Sequence, residues 1–180
     1  MIIKNILGHF KTVTKHKWEV FKLTVKAGIP IRGLLHDLSK FSYTEFSESV
    51  KYYQHGKRSP IPVAREEKGY SEAWLHHKGR NKHHFEYWYD SDAKEPPIIP
   101  FKYSVEIICD KLAAGITYQG KNWTKEFELE YWNTKEKDKP IINEKMREFV
   151  TEVFTEVSKN GIDKVISKKN LRKIYDKHCR

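Results

Sequence analysis

The chain has 180 residues, enough for one sizeable hydrophobic core, so a bound metal would serve a function rather than replace a missing core. Its 34 Lys and Arg against 24 Asp and Glu give a formal net charge of +10, which favours anionic partners such as nucleotides, other phosphorylated small molecules or nucleic acid. Two cysteines argue against a disulfide framework. The sequence has neither a signal peptide nor a sufficiently long apolar segment, so we expect a cytoplasmic protein with no membrane partner.

Apolar residues repeat at helical spacing through most of the chain, and no alternating strand pattern is present. We therefore predict an all-α fold in a single domain over residues 1–180. The first helix is expected from about Ile3 to Ala27, where Gly28 ends it. Its predicted apolar stripe includes Phe10, and His16 lies on the same stripe.

Short helices and loops are predicted to follow. A helix over 31–38 would end at the pair His36-Asp37, and the capping-box spacing of 42–45 would begin another helix. Residues 56–70 contain two prolines and are expected to form a loop. Ser71 is a plausible N-cap for 72–78, and 83–89 is predicted to be a short aromatic helix.

The second half is predicted to contain longer helices. Residues 101–118 are apolar around most of the circumference, which indicates a helix buried on several sides. A shorter aromatic helix, a strongly periodic helix around 146–157 and a basic tail complete the predicted C-terminal helices, 124–178.

Several polar residues lie at positions that this pattern predicts to be buried. Asp110 lies within the apolar run 105–114, where an unpaired carboxylate would cost several kcal/mol. The pair His36-Asp37 ends an apolar helix, and Lys40 follows three positions later. An imidazole next to a carboxylate can bind a divalent cation. A salt bridge from Asp110 to a core cation, and a stray carboxylate at a helix end, are the structural alternatives.

The order of these residues resembles the HD-domain superfamily of metal-dependent phosphohydrolases. His16 precedes His36-Asp37 by twenty residues, and Asp110 follows on a long apolar helix. The segment His36-Asp37-Leu38-Ser39-Lys40 is similar to the His-Asp-apolar-Gly-Lys signature of that superfamily, with Ser39 in place of glycine. The resemblance covers about residues 9–118 and implies an HD-domain-like helical bundle. It also implies that four side chains bind one metal: His16, His36, Asp37 and Asp110.

A histidine-rich segment separates these ligands. His76-His77 and His83-His84 are two pairs offset by seven residues. Two-metal members of the superfamily add two histidines in this part of the chain, so His77 and His84 are candidate ligands of a second ion, with His76 and His83 as alternates. Hydrogen bonding to the first ligands, or binding of a substrate phosphate, is the alternative role. The whole chain also resembles a small, functionally uncharacterised group of bacterial and phage proteins with a similar middle segment.

The resemblance implies hydrolysis of a nucleotide or another small phosphoester by a metal-activated water. The cofactor would be one or two divalent ions, and Mn, Fe, Mg, Zn, Ni and Co are not distinguished. Candidate substrate-binding residues are Lys40, Arg80, Asn81 and Lys82. Lys40, Glu72 and Glu86 are candidate catalytic residues, the two glutamates as proton shuttles.

Two other functions remain open at the level of sequence. In a few HD-domain relatives a di-iron pair performs oxygen-dependent C–H or C–P cleavage, so the chain is alternatively an HD-fold oxygenase. The net charge of +10 and the 24 aromatic residues are also compatible with a nucleic-acid-binding or phage accessory protein that has a structural metal site. The sequence does not predict the oligomeric state.

Overall fold

The computed structural model describes residues 2–180, and Met1 lies outside the described residues. This range forms an all-α bundle without β-strands, which confirms the predicted fold class. The α-helices are α1 (Ile2–Lys26), α2 (Pro30–Leu35), α3 (Tyr43–Lys51), α4 (Pro60–Lys68), α5 (Glu72–Lys78), α6 (Phe101–Gln119), α7 (Phe127–Tyr131), α8 (Glu144–Asn160), α9 (Ile162–Val165) and α10 (Lys168–Cys179). Within residues 2–180, no helix combines the length and apolar character needed to cross a membrane.

Helix α6 lies at the centre of the bundle. It packs against α1, α2, α7, α8 and α10, and Val105, Ile108 and Leu112 have no exposed surface. The prediction that this helix is buried on several sides is therefore confirmed. Helix α8 contributes Phe149 and Val153 to the same hydrophobic cluster, and α10 contributes Leu171, so the C-terminal helices share a core with the histidine-bearing ones.

Helix α1 has two different long faces. One face packs on α6 and buries Val13, His16, Val20 and Leu23, as the apolar spacing predicts. The prediction for Phe10 was wrong, because its side chain is 51% exposed on another side of the helix. Helix α1 thus has apolar residues on an exposed side as well as on the side that faces the core.

Two local predictions are corrected by the structure. The expected loop over 56–70 contains helix α4, because Pro60 occupies the first turn, where its fixed φ suits a helix, and Gly69 ends the helix in the left-handed conformation. The expected helix over 83–89 is only a 3₁₀ turn, Phe85–Tyr87. Chain direction therefore changes after Gly79, between the two histidine pairs.

Gly33 allows α2 to pack closely on α1. A Cβ atom at this position would overlap Thr24 Oγ1 and approach the Phe21 backbone at 3.2 Å. This contact matters for the site, because α1 bears His16 and α2 leads directly into His36.

Gly33→Ala is expected to destabilise the protein by about 1–3 kcal/mol, because the added methyl overpacks the α1–α2 contact. Gly→Ala in an open helix normally stabilises by up to about 1 kcal/mol. Urea unfolding measures the difference. Gly79→Ala is the control, since the nearest atom to its Cβ would be 3.4 Å away. Equal midpoints for the two variants would contradict the packing role.

Glu128 is a buried carboxyl group behind α6. Its Oε1 lies against Gly115, where any side chain would overlap it. Burial raises the pKa of Glu128 to about 8, although Lys111 opposes the shift. The group is therefore a neutral acid in the folded protein at neutral pH.

Glu128 is expected to make stability fall as pH rises. The folded pKa exceeds the ordinary value of 4.5, so its contribution is fully present below pH 4.5 and is lost as pH rises through about 8. Wild-type protein should lose about 4 kcal/mol of stability between pH 5 and pH 9 through this group, and Glu128→Gln should remove that loss. Urea titrations at the two pH values measure it. An unchanged pH profile in Glu128→Gln would show that the carboxyl ionises in water-like surroundings.

Candidate metal centre

The His-Asp pair occupies a sharp turn after α2. Helix α2 ends at Leu35, and Asp37 has a left-handed backbone with φ of 53°, before a 3₁₀ turn over Leu38–Phe41. Aspartate tolerates this conformation better than most residues that have a side chain. The Lys17 ammonium donates to the carbonyl oxygens of Leu34 at 2.7 Å and His36 at 2.6 Å. The turn thereby directs both side chains inward, where they are 1% and 2% exposed.

The first ligand group joins α1, the turn and α6. His16 Nε2 lies 3.0 Å from Asp110 Oδ1 and 3.7 Å from Asp37 Oδ2. His36 Nε2 lies 3.1 Å from Asp37 Oδ2 and 3.3 Å from Asp110 Oδ1. One ligand atom from each of the four residues lies within 4.8 Å of the others. All four residues predicted from sequence therefore meet at one point.

A second ligand group shares Asp37 with the first. The other oxygen of this carboxylate, Oδ1, lies 3.3 Å from His77 Nε2 and 3.2 Å from His83 Nε2. His84 completes a group whose ligand atoms also lie within 4.8 Å of one another. The change of chain direction after Gly79 brings His83 and His84 together onto His77. His76 belongs to neither group.

The atoms at the centre of both groups fit a cation better than they fit each other. Among the described residues, several buried atoms have no partner in hydrogen-bond geometry, although they lie close together: His16 Nε2, His36 Nε2, Asp37 Oδ1 and Oδ2, His83 Nε2 and His84 Nε2. Buried polar atoms without partners cost about 1–3 kcal/mol each. Imidazole nitrogens and carboxylate oxygens are donors that Mn, Fe, Co, Ni and Zn accept.

The ionisation states of Asp37, Asp110 and His84 favour cation binding. Burial would raise the pKa of Asp37, but His36 and Lys40 hold it well below its usual value. Burial would likewise raise the pKa of Asp110, but hydrogen bonds from His16 and His36 hold this pKa well below its usual value. Burial, together with His83 and His77, lowers the pKa of His84 well below its usual value. The centre thus contains two carboxylates and a neutral His84.

Glu106 lies next to two of the imidazoles, on the side away from the proposed metal. It is fully buried on α6, and its Oε1 lies 3.0 Å from His36 Nδ1 and 3.4 Å from His83 Nδ1. Its Oε2 accepts from Arg32 Nε and Nη2, both at 2.7 Å. Burial would raise the pKa of Glu106, but His36 and His83 lower this pKa to about 2. His36 can thus give its Nδ1 proton to Glu106 and present Nε2 to a metal, whereas His83 Nδ1 lies close to Glu106 without hydrogen-bond geometry.

Sequence reasoning missed Glu106, although a signal was present. The residue lies inside the apolar run 105–114, four positions before Asp110, so the two carboxylates share one side of α6. Only Asp110 was identified as a polar residue in need of a partner.

Glu45 performs the same task for the second group. Its Oε2 lies 2.8 Å from His77 Nδ1, and its Oε1 lies 2.7 Å from His76 Nδ1. Ser42 caps α3 by accepting from the Glu45 backbone N–H, as predicted, but the Glu45 side chain turns to the histidines. His76 therefore contacts the carboxylate that orients His77.

Lys40 and Asp110 lie at the more open side of the centre. Lys40 Nζ is 2.6 Å from Asp37 Oδ2, and its side chain is 28% exposed. The side chain of Asp110 is 17% exposed, against 2% for Asp37. Among the predicted substrate-binding residues, Lys40 is therefore the one that pairs with a carboxylate of the ligand groups and also reaches solvent.

The other predicted site residues have different surroundings. Asn81 donates to Ser39 Oγ at 2.9 Å and to the His77 carbonyl at 2.8 Å, so it braces the centre. Arg80 is exposed and contacts the His76 carbonyl, and Lys82 lies over the Tyr87 and Tyr103 rings. Glu72 is exposed and pairs with Lys68. Neither Glu72 nor Glu86 belongs to a ligand group.

Comparison with known proteins identifies a family. The model of a family of unknown function, DUF5662, matches residues 5–156, which is most of the chain. The chain belongs to the DUF5662 family. No curated protein and no solved structure matches it.

The DUF5662 match includes every residue of both ligand groups and both carboxylates behind them, and it ends before α9 and α10. The family description contains no activity, so the function of this DUF5662 protein has to be argued from the centre itself.

Proposed function

We propose that this DUF5662 protein is a metal-dependent phosphohydrolase of the HD-domain type that acts on a nucleotide or another small phosphoester. The observation that carries the proposal is the position of Asp37, whose two oxygens face two separate groups of buried imidazoles. A carboxylate in this position suits two divalent ions side by side. The order of His16, His36-Asp37 and Asp110 supports the assignment to the HD-domain superfamily.

The residues present would hold two ions. His16, His36 and Asp110 would bind one, and His77, His83 and His84 the other, with Asp37 shared. When bound, divalent ions in such sites lower the pKa of water and polarise phosphoryl oxygens.

The chain's own residues would orient the substrate and the ligands. Lys40 remains a cation, because Asp37 and Asp110 raise its pKa despite burial, and its Nζ can contact a phosphoryl oxygen. Glu106 and Glu45 keep the Nδ1 atoms of His36 and His77 occupied, which leaves each Nε2 free to bind.

A hydrolysis assay tests the proposal. The protein is stripped with chelator, reloaded with Mn²⁺, and assayed with a nucleotide panel and bis(p-nitrophenyl) phosphate. We expect phosphate or nitrophenol release that Asp37→Asn and Asp110→Asn reduce by more than about 100-fold. Asp163→Asn is the matched control. The side chain of Asp163 is 84% exposed, pairs with Lys26 and belongs to neither ligand group. Activity that survives both ligand substitutions would refute the proposal.

A second function has one observation in its favour. Three imidazoles and one carboxylate form the second ligand group, and nitrogen-rich sites suit iron better than magnesium. This favours the di-iron oxygenase alternative within the same fold. Oxygen consumption by the Fe-loaded protein, with no turnover under anaerobic conditions, would support it, since phosphoester hydrolysis needs no oxygen.

The third alternative is a nucleic-acid-binding protein in which the metal centre is structural. Salt-sensitive DNA or RNA binding that Asp37→Asn leaves unchanged would support a structural role for the metal centre.

A further inference from the structure

Two buried polar side chains outside both ligand groups lack a hydrogen-bond partner within the chain. His9 of α1 is 6% exposed, and Thr117 of α6 is 8% exposed. Among the described residues 2–180, no group bonds to the buried atoms His9 Nδ1 and Thr117 Oγ1. A buried polar atom without a partner costs about 1–3 kcal/mol. The two atoms therefore indicate a place where a bound molecule supplies hydrogen bonds.

The two side chains lie on the helix faces that also bear metal ligands. His9 precedes His16 by seven residues, and Thr117 follows Asp110 by seven. Seven residues are about two helical turns, so each side chain lies on the same side of its helix as the ligand. His16 Nε2 and Asp110 Oδ1 are 3.0 Å apart, which shows that these two faces meet.

Helices α1 and α6 run antiparallel. Helix α2 packs on the last turns of α1, and Arg32 of α2 binds Glu106 in the first half of α6. In the middle of α1, by contrast, Lys15 Nζ donates to the Thr117 carbonyl near the end of α6 at 3.1 Å. Seven residues back along α1 and seven forward along α6 therefore lead in the same direction. His9 and Thr117 lie together on that side, roughly 10 Å from the ligands of α1 and α6.

Aromatic rings and a hydroxyl pair surround His9. The centroid of its ring lies 5.1 Å from that of Phe46 and 5.9 Å from that of Tyr53. The Tyr53 hydroxyl lies 3.1 Å from Thr12 Oγ1 on α1. The surroundings of His9 therefore combine flat apolar faces with hydroxyl groups.

Lys40 connects these side chains to the metal centre. Its Nζ lies 2.6 Å from Asp37 Oδ2. Burial and the Lys40 ammonium lower the pKa of His9 to about 4. Burial raises the pKa of Tyr118, and the Lys40 ammonium opposes that rise. Because charge effects weaken with distance, Lys40 lies near both rings. We call the following residues the distal cluster: His9, Tyr53, Thr117 and Tyr118.

The chemistry of the distal cluster suits an uncharged polar group. The neutral imidazole of His9 and the hydroxyl of Thr117 each offer one donor and one acceptor. Neither supplies a charge, and burial of an unpaired ion is costly, so a second phosphate would not suit this place. Sugar hydroxyls and the edges of nucleobases pair with such groups, and nucleobases also stack on aromatic rings. A nucleotide with its phosphate at the metal centre is long enough to reach His9, whereas a phosphorylated three-carbon compound is not.

We propose that the distal cluster is a subsite for the nucleoside part of a nucleotide, in which His9 and Thr117 form hydrogen bonds with the sugar or the base. The inference rests on the proposed function for the position of the phosphate. It narrows the substrate from small phosphoesters in general to nucleotides.

Calorimetric titration with nucleosides tests the subsite. Ribonucleosides and 2′-deoxyribonucleosides are added to the Mn²⁺-loaded protein, and inorganic phosphate is titrated separately. We expect at least one nucleoside to bind, and His9→Phe and Thr117→Val each to weaken this binding at least about 10-fold, because a hydrogen bond is lost. Inorganic phosphate, which needs only Lys40 and the metals, should bind these variants and wild type alike. Thr14→Val is the matched control, since Thr14 is exposed on α1 and should not affect either titration.

Urea unfolding distinguishes a nucleoside from ordered water as the partner of these atoms. Phenylalanine and valine keep the approximate shapes of the side chains and remove polar atoms that the chain does not pair. Neither variant should therefore be less stable than wild type in the absence of nucleoside. Loss of stability in Thr117→Val together with unchanged nucleoside binding would identify water as the partner and overturn the proposal.

The nucleoside titration also separates the subsite from the proposed reaction. No binding of any nucleoside, or equal binding by wild type and both variants, would overturn the subsite even if the protein hydrolyses phosphoesters. Nucleoside binding that His9→Phe and Thr117→Val weaken, in a protein that hydrolyses no phosphoester, would support the subsite and refute the proposed function. Helical circular dichroism and metal content verify that each variant is folded.

Discussion

Asp37→Asn is expected to abolish metal binding at both ligand groups, which no other single substitution should do. Asp37 is the only residue that belongs to both groups among the described residues, and each of its oxygens faces different imidazoles. Asparagine keeps the size of the side chain and tolerates the left-handed backbone, so the variant removes the charge without straining the turn. We expect affinity for Mn²⁺ or Fe²⁺ to fall by more than about 100-fold at both positions.

Metal content per chain measures this result. Wild-type protein loaded with Mn²⁺ or Fe²⁺ and dialysed should retain two ions, and Asp37→Asn should retain none. Asp110→Asn and His84→Ala should each retain one, because each belongs to a single group. Asp163→Asn should retain two. Retention of one ion by Asp37→Asn would mean that the two groups do not share this carboxylate.

Glu106→Ala is expected to affect stability and metal binding together. The substitution leaves Arg32 and the Nδ1 atom of His36 without their acceptor, and it removes the carboxylate that lies 3.4 Å from His83 Nδ1. Breaking a buried ion pair costs about 3–5 kcal/mol, and the lower end applies here because the Arg32 side chain is 29% exposed. Loss of the group that orients His36 should also lower metal affinity by about 10- to 100-fold.

Urea unfolding in the presence of chelator and Mn²⁺ titration of the folded variant separate these two effects. Glu106→Gln serves as the conservative variant, since its amide oxygen can still accept from Arg32 or one histidine, and it should retain part of the stability. Glu66→Gln is the control, because Glu66 forms an exposed pair with Arg58 and should change stability by less than about 1 kcal/mol. Wild-type stability and affinity in Glu106→Ala would show that the carboxylate does not orient the imidazoles.

The resemblance to the HD-domain superfamily predicted the four members of the first ligand group, and two of them also interrupt apolar patterns. His16 lies on the buried stripe of α1, and Asp110 lies in the apolar run of α6, where a carboxylate needs compensation. Helical periodicity is enough to identify such positions, since it depends only on which face of a helix is buried.

The second group depended on chain direction, which periodicity does not encode. A continuous helix through both histidine pairs would align His77 with His84 and His76 with His83, but the break after Gly79 places both His83 and His84 next to His77. The sequence did not predict helix α4, because two prolines close together usually indicate a loop. Pro60 instead occupies the first turn of the helix, where proline is tolerated. The sequence pattern placed Phe10 in the core because apolar residues repeat at the same interval on an exposed side of a helix as on a buried side.

The left-handed backbone of Asp37 also limits how this position can change in evolution. Among replacements that remove the charge, glycine and asparagine keep φ near 53° with little strain, whereas valine or isoleucine would force the turn after α2 to rearrange. If the proposed function is right, a descendant that no longer bound a metal would be expected to have His-Asn or His-Gly at this turn. Such a pair before an apolar-Ser-Lys segment would identify a protein that has the same fold but no longer binds metal at this turn.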